Sequence, residues 1–139
     1  YAVNVFGLAG VTQACLGLLK RSRCARIVNI GSVKGAYSSV GRAAYASSKA
    51  AVSSLTVAMA KEFAPNILVN CVAPGFVDTD MTQQTMSPRI KSQISSALLG
   101  RVANTKEISS AVMFLCNEEN SFITGQTLLV DGGFSIKKE

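Results

Sequence analysis

From Ala2 to Lys20 apolar residues dominate and no charge interrupts them before Lys20, which reads as a helix. Arg26-Ile-Val-Asn-Ile30 is a short β-branched run closed by Gly31-Ser32, the mark of a buried strand. A Gly/Ser-rich loop extends from Gly31 to about Arg42. Helical periodicity returns between Tyr45 and Phe63, where Ala51, Val52, Leu55, Ala58 and Met59 form an apolar stripe, and Pro65-Asn66 stops it. Ile67-Leu-Val-Asn-Cys-Val72 predicts a second buried strand, ended by Ala73-Pro74-Gly75. The polar residues from Asp78 to Pro88 predict a mobile loop. Two further helices are predicted, from about Pro88 to Leu98 and from Thr105 to Cys116, the second opened by Asn104 or Thr105 as cap with Glu107 in its first turn. Thr127-Leu-Leu-Val130 predicts a third strand, closed by Asp131-Gly132-Gly133, with Asp131 expected to cap a turn.

Strands that are apolar throughout, alternating with helices, imply a parallel sheet covered on both faces. The expected class is α/β, one unit over residues 1–139 with no internal repeat. Three strands are few for a doubly wound sheet, whose common form has about six. Tyr1 also opens on what reads as mid-helix sequence with no cap before it, so the chain is expected to be a piece of a longer protein.

Composition narrows the chemistry. With no His, the chain has no imidazole for a Ser-His-Asp triad or a metal, and hydrolase readings lose their support. Cys15, Cys24, Cys71 and Cys116 are widely spaced, without a Cys-x-x-Cys pair, and are expected to be reduced thiols in a cytoplasmic setting, mainly packing residues. The net charge of +6 raises the question of nucleic acid, but three Tyr and six Phe show no alternation with basic residues suited to stacking bases. A membrane reading of the first nineteen residues is weakened by Asn4, Thr12, Gln13 and by cations that follow the apolar run instead of preceding it. A buried amphipathic helix is the expectation, with Lys20, Arg21, Arg23 and Arg26 either solvated at its C-terminus or attracting an acidic partner.

Tyr45 stands four residues before Lys49, and Ser32 lies upstream at a strand end. On a helix that spacing sets the Tyr and Lys side chains on one face, about 6 Å apart along the axis. A nearby ammonium favours phenolate, so Lys49 is expected to tune Tyr45 for proton transfer at a carbonyl. The pair alone has a chance expectation of roughly 0.17 per chain of this composition, so it needs context.

The context is joint. Ser32, Tyr45-Ala-Ser-Ser-Lys49, Asn70-Cys-Val-Ala-Pro74-Gly75-Phe-Val-Asp-Thr79-Asp-Met81 and Ile123-Thr-Gly-Gln-Thr-Leu-Leu-Val-Asp-Gly-Gly133 resemble, in order and spacing, the short-chain dehydrogenase/reductase family. Within it the chain looks most like the 3-oxoacyl-[acyl-carrier-protein] reductases of fatty acid synthesis. The resemblance implies the C-terminal half of a Rossmann-type doubly wound sheet, carrying the catalytic and nicotinamide side. It implies hydride transfer between NAD(P)H and a ketone or secondary alcohol, with NADP expected and NAD the alternative. Asn4 would hold a water linking Lys49 to solvent, Ser32 would bond the substrate oxygen, and Tyr45 would exchange its proton with that oxygen. Lys49 would hold the nicotinamide ribose. Pro74, Gly75, Val77 and Thr79 would wrap the nicotinamide and its phosphate side, with the polar stretch beyond as a substrate lid. The implied partners are a small-molecule or acyl-carrier-linked ketone and further copies of the chain, as homodimer or homotetramer; no nucleic acid, membrane or metal is implied.

Two departures matter. The family's Gly-rich phosphate loop and its ribose-selecting residue would lie before residue 1, so these 139 residues alone are expected to bind dinucleotide poorly and to be inactive. The short turn Ala64-Pro65-Asn66 lacks the family's usual Gly, and Asn66 is expected to take the left-handed conformation in its place. A different class, a non-catalytic scaffold of this shape, stays open at this point.

Overall fold

The computed structural model describes residues 1–136. A π-helical turn, Ala2–Gly7, runs into helix α1 (Leu8–Leu19); strand β1 (Ala25–Ile30), a 3₁₀ turn (Val33–Gly35) and helix α2 (Ala43–Phe63) follow. Strand β2 (Ile67–Pro74), helices α3 (Asp80–Gln84), α4 (Pro88–Ser95) and α5 (Thr105–Cys116), strand β3 (Thr127–Val130) and a 3₁₀ turn (Phe134–Ile136) complete the order. The strands form one parallel sheet in the order β1-β2-β3, with Ala25 opposite Ile67 and Cys71 opposite Thr127. Parallel pairing requires crossovers, and α2 supplies the first while α3 to α5 lie within the second.

The apolar run of the central strand is buried for the reason its pattern suggested, whereas Thr127, Leu128 and Leu129 of β3 are exposed, against the expected cover on both faces. Ile67, Val69, Cys71 and Val72 of the central strand are at most 1% exposed. Burying each such aliphatic side chain contributes about 1.5–3 kcal/mol. One core cluster joins Ala25 of β1, Met59 and Ala60 of α2, and Ile67 and Val69 of β2, with Leu8, Leu16 and Leu19 of α1 packed on it. A smaller one joins Val33, Ala97 and Phe134, with Phe76 against it.

Several boundaries differ from expectation. The first helix is only half committed to the core: Val3, Phe6, Val11 and Leu18 are exposed, at 83, 71, 66 and 65%. By length and apolarity Ala2–Leu19 would suffice to cross a membrane, but its leucines pack on the sheet and its Tyr1 and Asn4 bond to α2. The segment 78–88 is not loop throughout. Thr79 accepts a hydrogen bond from the Thr82 N–H and opens α3, and Ser87 does the same with Ile90, with Pro88 just inside α4. Helix α4 ends at Ser95, short of Leu98, because Leu98 and Leu99 turn to lie against Gly133 and Gly132. Asn66 is not left-handed, since among the described residues only glycines have positive φ; the chain leaves α2 through Ala64 in the extended conformation that a following proline favours.

Candidate active site

The carboxyl end of β1 carries Gly31 and Ser32 toward the start of α2. Gly31 donates its N–H to the Val72 carbonyl at 2.8 Å, and a Cβ on it would sit 2.7 Å from Cys71 Sγ, so the backbone there must approach β2 closely. Ser32 is extended, and its Oγ accepts from the Lys34 N–H at 3.2 Å, capping the 3₁₀ turn. That turn lies directly on α2. A Cβ at Gly35 would meet the backbone of Lys49 and Ala50 at 2.9 Å. Glycine thus lets the Ser32 segment seat on the helix turn that holds the other candidates.

Tyr45 lies in the first turn of α2, 39% exposed, and its hydroxyl has no hydrogen-bond partner among the described residues. Lys49, one turn on, reaches back to the sheet: its Nζ donates to the Ile30 carbonyl at 2.9 Å, two residues before Ser32. Partial burial pulls the Lys49 pKa down, opposed by attraction to Cys71. Burial in turn pushes the Cys71 thiol up, which keeps it neutral at ordinary pH and leaves desolvation in control at Lys49.

Asn4 joins the cluster by a route the sequence did not indicate. Its Nδ2 donates to Ser48 Oγ at 3.0 Å, and Ser48 Oγ donates to the Tyr45 carbonyl at 2.8 Å. Tyr1 likewise donates to Ser47 Oγ at 2.8 Å. The π-helical turn is therefore fastened to the very turn of α2 that bears Tyr45.

The remaining predicted residues lie further along. Pro74 ends β2 opposite Val130, and Gly75 donates to the Val130 carbonyl at 3.0 Å. A Cβ at Gly75 would fall 2.8 Å from Asp131 Cα, so its missing side chain serves the approach of β2 to the end of β3. Val77 bridges to Ala103, and Thr79 caps α3. Asn4 is thus bonded to the α2 turn of Tyr45, and Lys49 to the end of β1 just before Ser32, whereas Val77 and Thr79 stand beyond the strand ends with structural duties of their own.

Two polar groups were missed as structural devices. Buried Asn70 donates to the Ile123 carbonyl at 2.8 Å and accepts from the Gln126 N–H at 3.0 Å, clamping the approach to β3. Buried Asn29 donates to Thr56 Oγ1 at 2.9 Å, tying β1 to α2. A lone Asn within an apolar strand was the available signal, since a buried amide must find partners. Asp131 does cap a turn, accepting from the N–H groups of Gly133 and Ser135.

Comparison with known proteins agrees with this geometry. The family model described as enoyl-(acyl carrier protein) reductase matches residues 1–135. The 3-oxoacyl-[acyl-carrier-protein] reductase FabG of Aquifex aeolicus is 44% identical over 133 residues, which are 94% of this chain and 53% of that protein. Among solved structures, the aldohexose dehydrogenase of Thermoplasma acidophilum superposes with a TM-score of 0.90 at 34% identity, covering 97% of this chain and 57% of that one. A 4-hydroxyisoleucine dehydrogenase mutant, complexed with NADH and succinate, gives 0.89 at 33% identity over 99% of this chain and 58% of its own. The chain spans about half the length of the curated relatives it matches. With a Rossmann-type parallel sheet and matches along nearly its whole length, the chain belongs to the short-chain dehydrogenase/reductase family.

Proposed function

We propose that the protein carrying this chain reduces the 3-oxo group of acyl thioesters, held by an acyl carrier, to the 3-hydroxy group, using NADPH, with NADH the alternative. The observation that carries the reading is the Lys49–Ile30 bond, which with the seating of Gly35 on α2 brings the segment bearing Ser32 against the stretch of α2 that bears Tyr45 and Lys49.

The described residues fit the nicotinamide end of such a cofactor. Lys49 spends one N–H on Ile30 and keeps two for ribose hydroxyls, and open α/β sheets take ligands outside the carboxyl ends of their strands. When bound, the nicotinamide supplies the hydride to the carbonyl carbon. The chain's own groups manage the oxygen. Ser32 accepts from the Lys34 N–H and so keeps its hydroxyl proton to donate to the carbonyl. Tyr45 gives its phenolic proton to the same oxygen as negative charge builds there, and regains one from solvent after the alcohol leaves. Asn4 acts in this reading by fixing the Tyr45 turn through Ser48, beside the expected water link to Lys49. Pro74, Gly75, Val77 and Thr79 would flank the nicotinamide.

A second reading, an alcohol or sugar dehydrogenase, is favoured by the likeness to aldohexose dehydrogenase. Incubation with NADPH and a 3-oxobutanoyl thioester separates the two. Formation of 3-hydroxybutanoyl thioester, mole for mole with NADPH lost, supports the first; oxidation of hexoses without thioester turnover overturns it. The same reading takes the protein as cytoplasmic and as a homodimer or homotetramer, with the exposed Val3, Phe6, Val11 and Leu18 as a self-association face.

A further inference from the structure

A cleft of about 360 Å³ opens between the loop after β1, helix α4 and the turn after β3. Its wall carries two cations, Lys34 and Arg89, the polar side chains of Tyr37, Ser38, Gln93 and Ser135, and the apolar Val40 and Phe134; no Asp or Glu lines it among the described residues. Lys34 is held in place: its Nζ donates to Ser39 Oγ at 2.8 Å and lies 4.4 Å from the centre of the Phe134 ring and 5.6 Å from that of Phe76. Arg89 makes no ion pair among the described residues, where the pair present is Arg101–Glu107. Asp131, four residues before Ser135, has both oxygens engaged by backbone N–H groups.

The cleft is joined to the candidate chemistry through one residue, since the Lys34 N–H bonds Ser32 Oγ. A carbonyl compound on Ser32 whose tail passes over Lys34 would lay that tail in the cleft. Val40 and the Phe134 ring give part of the wall an apolar surface that a short acyl tail could cover, but such a tail offers neither the cations nor the hydroxyl groups a hydrogen bond. An oxyanion gains a planar guanidinium fork, an ammonium and neutral hydroxyl donors.

We infer that this cleft receives an oxyanion, carboxylate or phosphate, borne by the carbonyl substrate, with Lys34 and Arg89 as specificity-determining residues. The inference rests on the reductase reading of Ser32, Tyr45 and Lys49. Its turnover test compares three 3-oxo substrates in the protein containing this chain: neutral ethyl 3-oxobutanoate, a 3-oxoglutarate monoester and the 3-oxobutanoyl thioester of pantetheine 4′-phosphate. At least one anionic substrate should exceed the neutral ester in kcat/KM by about tenfold, the size of one charge-assisted hydrogen bond at a partly open site. Which one does so identifies the source of the anion. The advantage should shrink to about its last factor of two or three in Arg89→Gln and in Lys34→Met, and should fall with salt. A ratio near one in the parent, or one unmoved by both substitutions, overturns the inference.

A binding arm is independent of turnover. Titration with inorganic phosphate or glutarate at constant ionic strength should shift the backbone amide resonances of Lys34, Ser39 and Gln93, and less in the two variants. No shift at those residues overturns the oxyanion site even where ketone reduction proceeds. Shifts without reduction of any ketone keep the site and remove the reductase reading.

Discussion

Gly35 shows how a single missing side chain positions chemistry. Its α-carbon rests on the Lys49–Ala50 backbone, where a methyl group would come within 2.9 Å of atoms that cannot swing aside. Gly35→Ala should therefore push the Ser32 turn off α2, costing about 1–3 kcal/mol. Urea unfolding measures the loss, and a midpoint equal to the parent's would contradict the contact. Ser32, Tyr45 and Lys49 were conspicuous in the sequence by residue type and spacing. Gly35 was not, since a glycine in a Gly/Ser-rich loop suits any turn and the neighbour it must avoid lies on another element. Gly75 is a related case: its missing side chain leaves room for Asp131 at the end of β3. Asn70 carries a further prediction. Replacing it with Ala orphans the Ile123 carbonyl and the Gln126 N–H, for a cost of about 1–3 kcal/mol by the same measurement, and an unchanged midpoint would deny the clamp.

Helix α5 is the element whose start the sequence described best. Asn104 and Glu107 form a reciprocal capping box, and Arg101 adds two hydrogen bonds to the Glu107 carboxylate at 2.7 and 2.9 Å. The Arg101 bond, then the Asn104 N–H, holds the Glu107 pKa down to about 2. A carboxyl with a depressed folded pKa contributes stability that is present above its unfolded pKa of ~4.3 and is lost as pH falls toward the folded value. Between about pH 4.5 and 2 the melting temperature of Glu107→Gln should therefore decline less steeply than the parent's. Parallel declines in calorimetry would remove Glu107 from the acid response. The short α3 was missed for the opposite reason: five residues hold too little periodicity to stand out from polar loop, and only the Thr79 cap announces it.

The assembled sheet explains why strand and helix order could be read from pattern alone. Cover on both faces makes the central strand a continuous apolar run, and α1 and α2 bring apolar side chains to match it, whereas Leu128 and Leu129 of β3 stay exposed. The extent of burial of the first helix was not legible, since apolarity does not say which face meets the sheet and which stays open. Among the described residues β1 is paired on one edge, and Ile30 at its end is 45% exposed. An unpaired edge of this kind recruits other strands. Expressed by itself, the chain should self-associate in light scattering and reduce no ketone, because it contains no Gly-rich turn for pyrophosphate. Monodisperse, active preparations of the isolated chain would contradict that expectation. For the protein containing this chain, stopped-flow NADPH oxidation with a saturating 3-oxoacyl thioester compares the parent with Tyr45→Phe. The rate should fall roughly 10²- to 10⁴-fold while NADPH affinity stays within about twofold. A Phe variant that reduces the ketone at the parent's rate would contradict proton donation by Tyr45.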